Sequence, residues 1–335
     1  MILVGDVGGT NTTLALLSHS EKLFRLERRQ RYASLRLSGL EDALGDFLAQ
    51  PHEELEVCCF SGAGPARDNR CTLTNVPWLI DGKRISHELG IPTFVINDFT
   101  AICYALPLID THDAISAIAF PRPDGTVPVS AGSVRAVIGA GTGLGTGYLT
   151  MDKDRFFAHA SEGGHSDFAT TDDEMRGLAA YLADRHDFPP GAEQYVSGQG
   201  ITNAFRYLAE SRHIANDPRI ERILSMSDSE IPGAVAGGAE EEANLADVMR
   251  LFVRMYARYA SNTALFLLPT GGLYLAGGIA AKNLHWFTDD HLFMNHFVKN
   301  YNAGMRSILR SIPVHLITAY DVSLYGAAHA AISLQ

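Results

Sequence analysis

The sequence predicts an α/β protein of two lobes. Three observations point there. Short apolar, β-rich runs alternate with segments of helical spacing, beginning with Ile2-Leu3-Val4-Gly5-Asp6-Val7. A strand, a glycine turn and a returning strand can be read twice, over residues 2–17 and again over 134–149, as if two halves shared one design. Finally, Phe94-Val95-Ile96 runs straight into Asn97-Asp98-Phe99-Thr100, so an amide and a carboxylate stand where a buried strand would emerge. In open α/β sheets, ligands bind beyond the carboxyl ends of strands. Asp98, a lone carboxylate flanked by aromatics at such a place, is a candidate general base. The competing reading is a helix N-cap, because Asn, Asp and Thr all cap and Ala101 to Leu106 can follow as a helix.

The 335 residues suggest two domains or one large one. A composition of 46% hydrophobic and 19% charged residues is that of an ordinary soluble globular protein. The net charge of -11 argues against nucleic acid, which needs clustered Lys and Arg, and offers nothing to an anionic membrane surface. It leaves room for an anionic small molecule, since backbone amides hold phosphate without any lysine. The four cysteines, Cys58, Cys59, Cys71 and Cys103, form no CxxC pair and suggest neither a zinc ribbon nor a thioredoxin-type motif. Reduced, partly buried thiols in a cytosolic protein are expected. The N-terminus lacks the basic region and apolar run of a signal peptide, and no apolar run reaches transmembrane length. The cytoplasm is the expected compartment.

Taken in order, Ile2 to Val7 reads as a buried strand with one inward carboxylate, Asp6. Gly8-Gly9-Thr10-Asn11 is a tight turn whose glycines and asparagine are expected to supply positive φ, and Thr12 to Leu17 returns as a strand. A plain hairpin explains all of this except Asp6. A carboxylate in an opening strand is costly unless it meets a cation or donors, and beside a turn of free N–H groups the natural partners are magnesium and phosphate. Leu40 to Leu48 has helical spacing, Leu55 to Phe60 reads as a strand, and Ser61-Gly62-Ala63-Gly64-Pro65 as a loop of close approach. Thr74-Asn75-Val76-Pro77-Trp78 carries an amide and an indole, groups common in sugar sites, although a buried structural Trp78 fits equally. A short helix at Ile85 to Leu89 and the strand ending at Asn97-Asp98 close the first αβ unit. Residues 110–133 read as loop, with Asp124-Gly125 a turn among Pro121, Pro123 and Pro128, and mark a domain boundary or exposed hairpin.

The second strand–turn–strand run contains Gly139-Ala140-Gly141-Thr142-Gly143-Leu144-Gly145. A Rossmann fingerprint fails here: counted from Gly139, the third glycine falls on Leu144, and the chain continues as a strand. No Walker A run exists either. In Ser161-Glu162-Gly163-Gly164-His165-Ser166-Asp167, Glu162 and His165 can reach one small polar ligand, with glycines between them for close approach. A metal there would need Asp167 as third ligand and is the weaker reading; a ligand-free hydrogen-bonded loop is the plain one. Thr171-x-x-Glu174 makes a capping box for a helix to about His186. Glu193 stands near Ser197-Gly198 and a helix start, where an acid is ordinary. Residues 202–224 read as helical. Residues 225–244, with Gly237-Gly238 and Glu240-Glu241-Glu242, read as a solvated face or a helix start, and Ala246 to Leu268 as a long amphipathic core helix. Leu273 to Ala276 is a strand, and Gly277-Gly278 after it lets a flat nucleobase lie against the backbone. A strand from Val314 to Ala319 and an Ala-rich helix from Asp321 to Ser333 end the chain.

Together, and in this order, these stretches resemble the bacterial glucokinase family of the hexokinase superfamily, over nearly the whole chain. Gly5-Asp6-Val7-Gly8-Gly9-Thr10-Asn11 resembles its first phosphate loop, Ile96-Asn97-Asp98-Phe99-Thr100-Ala101 its catalytic-aspartate motif, and Gly139 to Gly145 its second phosphate loop. Glu162-Gly163-Gly164-His165 resembles the sugar motif, Glu193 with Ser197-Gly198 its companion, and Ala276-Gly277-Gly278-Ile279 the adenosine motif. Related repressor/open-reading-frame/kinase sugar kinases carry a cysteine-rich zinc motif after the Glu-x-Gly-His stretch; no cysteine follows Cys103, which favours the zinc-free group. The acidic Gly237–Glu242 stretch matches no motif of the family.

The resemblance implies a two-domain actin-like ATPase (ribonuclease H-like) α/β fold with a cleft between domains, here 1–110 plus 313–335 and 111–312. It implies transfer of the γ-phosphoryl group of ATP to the 6-hydroxyl of glucose, giving glucose 6-phosphate and ADP. Asp98 would accept the hydroxyl proton, and Asn75, Asn97, Asp98, Glu162, His165 and Glu193 would hold the sugar. Gly5, Asp6, Val7, Gly8, Gly9, Thr10 and Asn11, with Gly141, Thr142, Gly143, Gly277 and Gly278, would hold ATP, and Asp6 would hold Mg²⁺ through water. A cytoplasmic homodimer is implied as well. The alternatives are a kinase for mannose or fructose and a non-catalytic sugar sensor, and an intact Asp98 disfavours the sensor. The sequence leaves an ADP- or polyphosphate-dependent donor open.

Overall fold

A computed structural model describes residues 1–335 apart from 21, 22, 75, 110, 111, 113 and 154, so the sugar contact expected of Asn75 lies outside the described residues. The chain forms two units. The first comprises Met1–Ala117, Gly147–Ala160 and Thr318–Gln335, the second Ile118–Thr146 and Ser161–Ile317. Residues 147–160, which the sequence division put in the other domain, belong to the first unit. There a Cβ on Gly147 would sit 2.8 Å from the Cys103 Sγ, and Phe156 lies edge-on to His329.

The first unit contains β1 (Ile2–Val7), β2 (Asn11–Ser20), β3 (Leu23–Ala33), α1 (Leu40–Leu48), β4 (Val57–Gly62), α2 (Gly82–Leu89) and α3 (Asp98–Ala105) among its main elements. A small antiparallel sheet is made of β5 (Ala66–Arg67), β6 (Arg70–Thr72) and β7 (Leu79–Asp81), and β8 (Thr93–Asn97) completes the main sheet. The main sheet runs β3-β2-β1-β4-β8. β1 and β2 form the antiparallel hairpin expected from the turn, whereas β4 pairs parallel with both β1 and β8. Central β1 is apolar on both faces because both are covered. The edge strand β3 alternates, with Arg25, Glu27, Arg29 and Arg31 outward, and its charges keep the open edge from pairing with another chain. Leu3, Val7, Phe47, Phe60, Ile80 and Ile85 are fully buried in one core, and Trp78 joins them, so the structural reading of that indole holds. All four cysteines are free and fully buried, beyond the partial burial expected, and burial pushes the Cys58 thiol up to about 12. The C-terminal helix Val322–Ser333 packs on α3, β1 and β4.

The second sheet takes in β9 (Ala117–Ala119), β10 (Val134–Ala140), β11 (Leu144–Asp152), β12 (Arg155–Ser161), β13 (Leu273–Ala276) and β14 (Val314–Ile317), in the order β12-β11-β10-β13-β14-β9. In the second unit β13 pairs parallel with β10 and with β14. The helices begin with α4 (Asp173–Ala183), α5 (Gly198–Ser211), α6 (Pro218–Leu224), α7 (Ile231–Gly238) and α8 (Ala243–Leu267). The capping box is displaced: Asp172, not Thr171, accepts the Met175 N–H, and Glu174 instead pairs with Arg254 at 2.5 Å. The helical stretch 202–224 is broken, because His213 takes a positive φ of 55° and Asp217 caps a new helix with Pro218 in its first turn. Part of the polar stretch 225–244 is helix α7, which includes Gly237 and Gly238. α8 is buried on almost every side, and its Tyr256 hydroxyl donates to the Ile138 carbonyl at 3.1 Å, tying the helix to β10. Among the described residues no helix is long and apolar enough to cross a membrane.

Candidate active-site residues

In the first unit three parallel strands, β1, β4 and β8, end side by side; in register, Asp6 faces Ser61, and Gly62 faces Asn97. This is the edge of a sheet where ligands are expected. Asn97 caps α3, its Oδ1 accepting N–H groups from Phe99 at 2.9 Å and Thr100 at 3.3 Å. Asp98 is therefore the first helical residue, and the capping role that the sequence also offered it belongs to Asn97. Its Oδ1 also accepts from the Phe99 N–H at 2.9 Å. Burial pushes its pKa up to about 6; the Phe99 bond opposes the rise and the Asp6 charge adds to it. The Asn97 Nδ2 donates to the Gly64 carbonyl at 3.1 Å, which leaves one of its two amide hydrogens for a ligand.

Asp6 is partly buried, and burial raises its pKa, against the lowering effect of a hydrogen bond from Ser323. The Ser323 Oγ donates to Asp6 Oδ2 at 2.7 Å, and no donor among the described residues bonds the other carboxylate oxygen. A magnesium ion fits such a group: Mg²⁺ keeps several waters and is commonly held by one or two carboxylates plus substrate phosphates. In the adjoining turn the Gly8 N–H donates to the Asn11 carbonyl at 2.9 Å. The positive φ expected there is not found: Gly8, Gly9 and Asn11 are absent from the left-handed positions, which among glycines are Gly90, Gly125, Gly272 and Gly277. Gly8 is instead crowded, since a Cβ there would come 3.1 Å from the Asn11 carbonyl oxygen. Ser34, which sequence reasoning passed over, braces this turn by donating to the Gly8 carbonyl at 2.7 Å and sharing a bond with Thr12 at 3.0 Å. A single serine 26 residues away carries no local signal of that role.

In the second unit the structure gathers three polar glycine loops. The turn at Gly141–Gly143 is pinned at both ends, by the Gly198 N–H donating to the Gly141 carbonyl at 2.8 Å and by Glu193 Oε2 accepting the Leu144 N–H at 2.8 Å. At Gly143 a Cβ would sit 2.5 Å from Glu193 Oε2 and displace that carboxylate, whereas Gly141 opens onto free space and Thr142 is exposed. The loop of Glu162 and His165 joins them, because a Cβ on Gly164 would lie 2.1 Å from the Leu144 carbonyl oxygen and Ala192 donates to Ser166 at 2.7 Å. His165 Nε2 and Glu162 Oε2 are 3.8 Å apart and both side chains are mostly exposed, free to meet a ligand. Among the described residues no three His, Cys, Asp or Glu side chains gather as a metal site, so Asp167 does not complete one with this pair. Gly277 follows β13 with φ of 90°, its Cα packed so that a Cβ would be 2.4 Å from the Ala140 carbonyl oxygen, and the exposed Gly278 opens the helix Gly278–Lys282.

Comparison with known proteins adds to this geometry. A family model described as Glucokinase matches residues 3–334. The glucokinase of Nostoc punctiforme is 36% identical over 344 residues, covering 98% of each chain. A solved glucokinase from an Antarctic psychrotroph matches with a TM-score of 0.84 at 26% identity, over 99% of this chain and 98% of that one. The glucokinase of Balamuthia mandrillaris in complex with glucose matches with a TM-score of 0.77 at 20% identity, over 99% and 93%, a likeness of fold.

Proposed function

Because the chain belongs to the glucokinase family, we propose that the residues described above carry the transfer of the ATP γ-phosphoryl group to the 6-hydroxyl of glucose. The chain is an ATP-dependent hexose kinase with the actin-like ATPase fold. The assignment of roles within it rests above all on Asp98: a carboxylate at the carboxyl end of a buried strand, relieved of capping by Asn97 and raised to about 6 by burial.

Phosphoryl transfer asks a protein mainly for positioning and charge stabilisation. Asp98 accepts the proton of the sugar hydroxyl as its oxygen bonds to the γ-phosphorus and the bond to the ADP oxygen breaks. A base with a pKa of about 6 is ionised at neutral pH and takes a proton more readily than an ordinary carboxylate. Glu162, His165, Glu193 and the remaining Asn97 N–H hold the other hydroxyls. A site that hydrogen-bonds each hydroxyl rejects analogues lacking one, by up to roughly 10⁴–10⁵-fold, because its own groups are left unpaired. Backbone N–H groups of the turns after β1 and β10 bind phosphate, and the backbone at Gly277 and Gly278 lies against the base. Asp6 would hold magnesium through water, and the ion would supply positive charge to the phosphates.

The test is Asp98→Asn assayed against glucose, mannose and fructose with ATP, with glucose binding followed calorimetrically. Turnover falls by roughly 10²–10⁴-fold, the contribution of a general base, while glucose affinity changes little. Full turnover in the variant would remove Asp98 from this role.

A further inference from the structure

The C-terminal helix Val322–Ser333 touches β1 and α3, the elements that carry Asp6 and Asp98. Its second residue, Ser323, is buried and donates to Asp6 Oδ2 at 2.7 Å. Three residues on, Gly326 lies so close to α3 that a Cβ would fall 1.8 Å from the Ala101 carbonyl oxygen. The start of the helix is itself anchored, since Arg29 on β3 pairs with Asp321 at 2.5 Å. A strand carboxylate has two soft torsions, and one buried bond to a charged acceptor is enough to select among its rotamers. Ser323 supplies the one protein hydrogen bond to the Asp6 carboxylate among the described residues, from 317 positions away.

We propose that Ser323 is a positioning residue for the phosphoryl transfer: by holding Oδ2 of Asp6, it turns the free oxygen toward the hydrated magnesium that accompanies ATP. This rests on the reading of Asp6 as the residue serving that ion. If the bond only tied the helix to β1, its loss would lower stability and leave nucleotide binding alone.

The experiment uses the full chain with Ser323→Ala, Ser323→Thr, Asp6→Asn and the Ser323→Ala/Asp6→Asn double variant. Affinity for magnesium with a non-hydrolysable ATP analogue is measured calorimetrically without sugar, so no turnover enters, and melting is followed in parallel. Ser323→Ala is expected to weaken binding about tenfold, the size of one hydrogen bond to a charged group, and to raise the KM for MgATP more than it lowers kcat. Ser323→Thr, which keeps the hydroxyl, restores binding. In the double variant the serine change adds nothing to Asp6→Asn, because it acts through that carboxylate. Unchanged affinity in Ser323→Ala, with or without a lower melting temperature, overturns the proposal, as does a full additive loss in the double variant. Unchanged affinity in Asp6→Asn would instead bring down the reading of Asp6, and the proposal with it.

Discussion

Asp98 is charged at a cost to the fold. Its pKa rises from 3.8 to about 6, chiefly through burial, so over that interval the folded chain keeps a proton that the unfolded chain has released. The stability associated with the protonated group is fully present below the unfolded value and is lost as pH climbs through about 6. A shift of about two units corresponds to an upper figure on the order of 3 kcal/mol, reduced by the solvent that reaches this partly open side chain. Asp98→Asn keeps the shape and removes the charge. Its melting temperature is therefore expected to exceed that of the parent by a few degrees at pH 8 and to match it at pH 4, while turnover collapses; equal melting at both pH values would exclude a buried, strained carboxylate. In the parent, kcat/KM for glucose should rise with pH through about 6 and then level off, as ionisation of the base requires. Glu162 and His165 are mostly exposed. Glu162→Gln and His165→Ala should raise the glucose KM without moving the melting temperature, and an unchanged KM in both would make that loop purely structural.

The glycine turns separate two uses of one residue type. Gly277 combines a φ of 90° with a neighbour 2.4 Å from its missing Cβ, so Gly277→Ala should lower stability by about 1–3 kcal/mol through backbone strain and a clash. At Gly141 an added Cβ would meet nothing within 4 Å, so Gly141→Ala should melt like the parent, and its effect should appear as a raised KM for ATP. Melting curves and ATP titrations of the two variants check the contrast, and an unaltered KM in Gly141→Ala would mean that no phosphate approaches that backbone. At this scale much was legible in the sequence. The period-2 runs around Gly-rich turns gave β1–β2 and β10–β11, and the strand–Gly–Gly–helix pattern gave β13 and the helix after it. What escaped has physical causes. β3 hides its one buried face behind alternating charges. The cap of α4 moved to Asp172 because Met175, Leu178 and Leu182 had to face the core, and core packing, not the local capping motif, sets where the first turn begins. Gly8 is crowded by a carbonyl and does not take a positive φ, a distinction that only the folded neighbour, Asn11, makes visible.

For the whole molecule, the local motifs of the candidate site could be read because each is a short run with its own chemistry. Links across the chain could not: Ser323 to Asp6, or Gly326 to Ala101, join residues hundreds of positions apart and leave no mark in sequence spacing. Those links make the first unit a fold of both chain ends. It takes its sheet from residues within 1–117 and its covering helix from the segment Thr318–Gln335. In that helix Val322, Leu324, Tyr325, Ala327, Ala328, Ala330 and Ala331 are all buried. Without it β1 and β4 would expose apolar surface on one face, and α3 would lose the partner against which Ala101 packs. The second unit draws on no residue beyond Ile317. A chain ending at Ile317 should therefore lose amide protection throughout β1, β4 and α3 while α8 keeps its own, and hydrogen exchange read by mass spectrometry would resolve the two units. The same argument orders the folding: strand pairing near the N-terminus can begin early, but the first unit closes only when its last helix arrives, a contact of very long sequence separation and correspondingly slow. Native-like protection of β1 in the truncated chain would show that the sheet stands without its C-terminal helix.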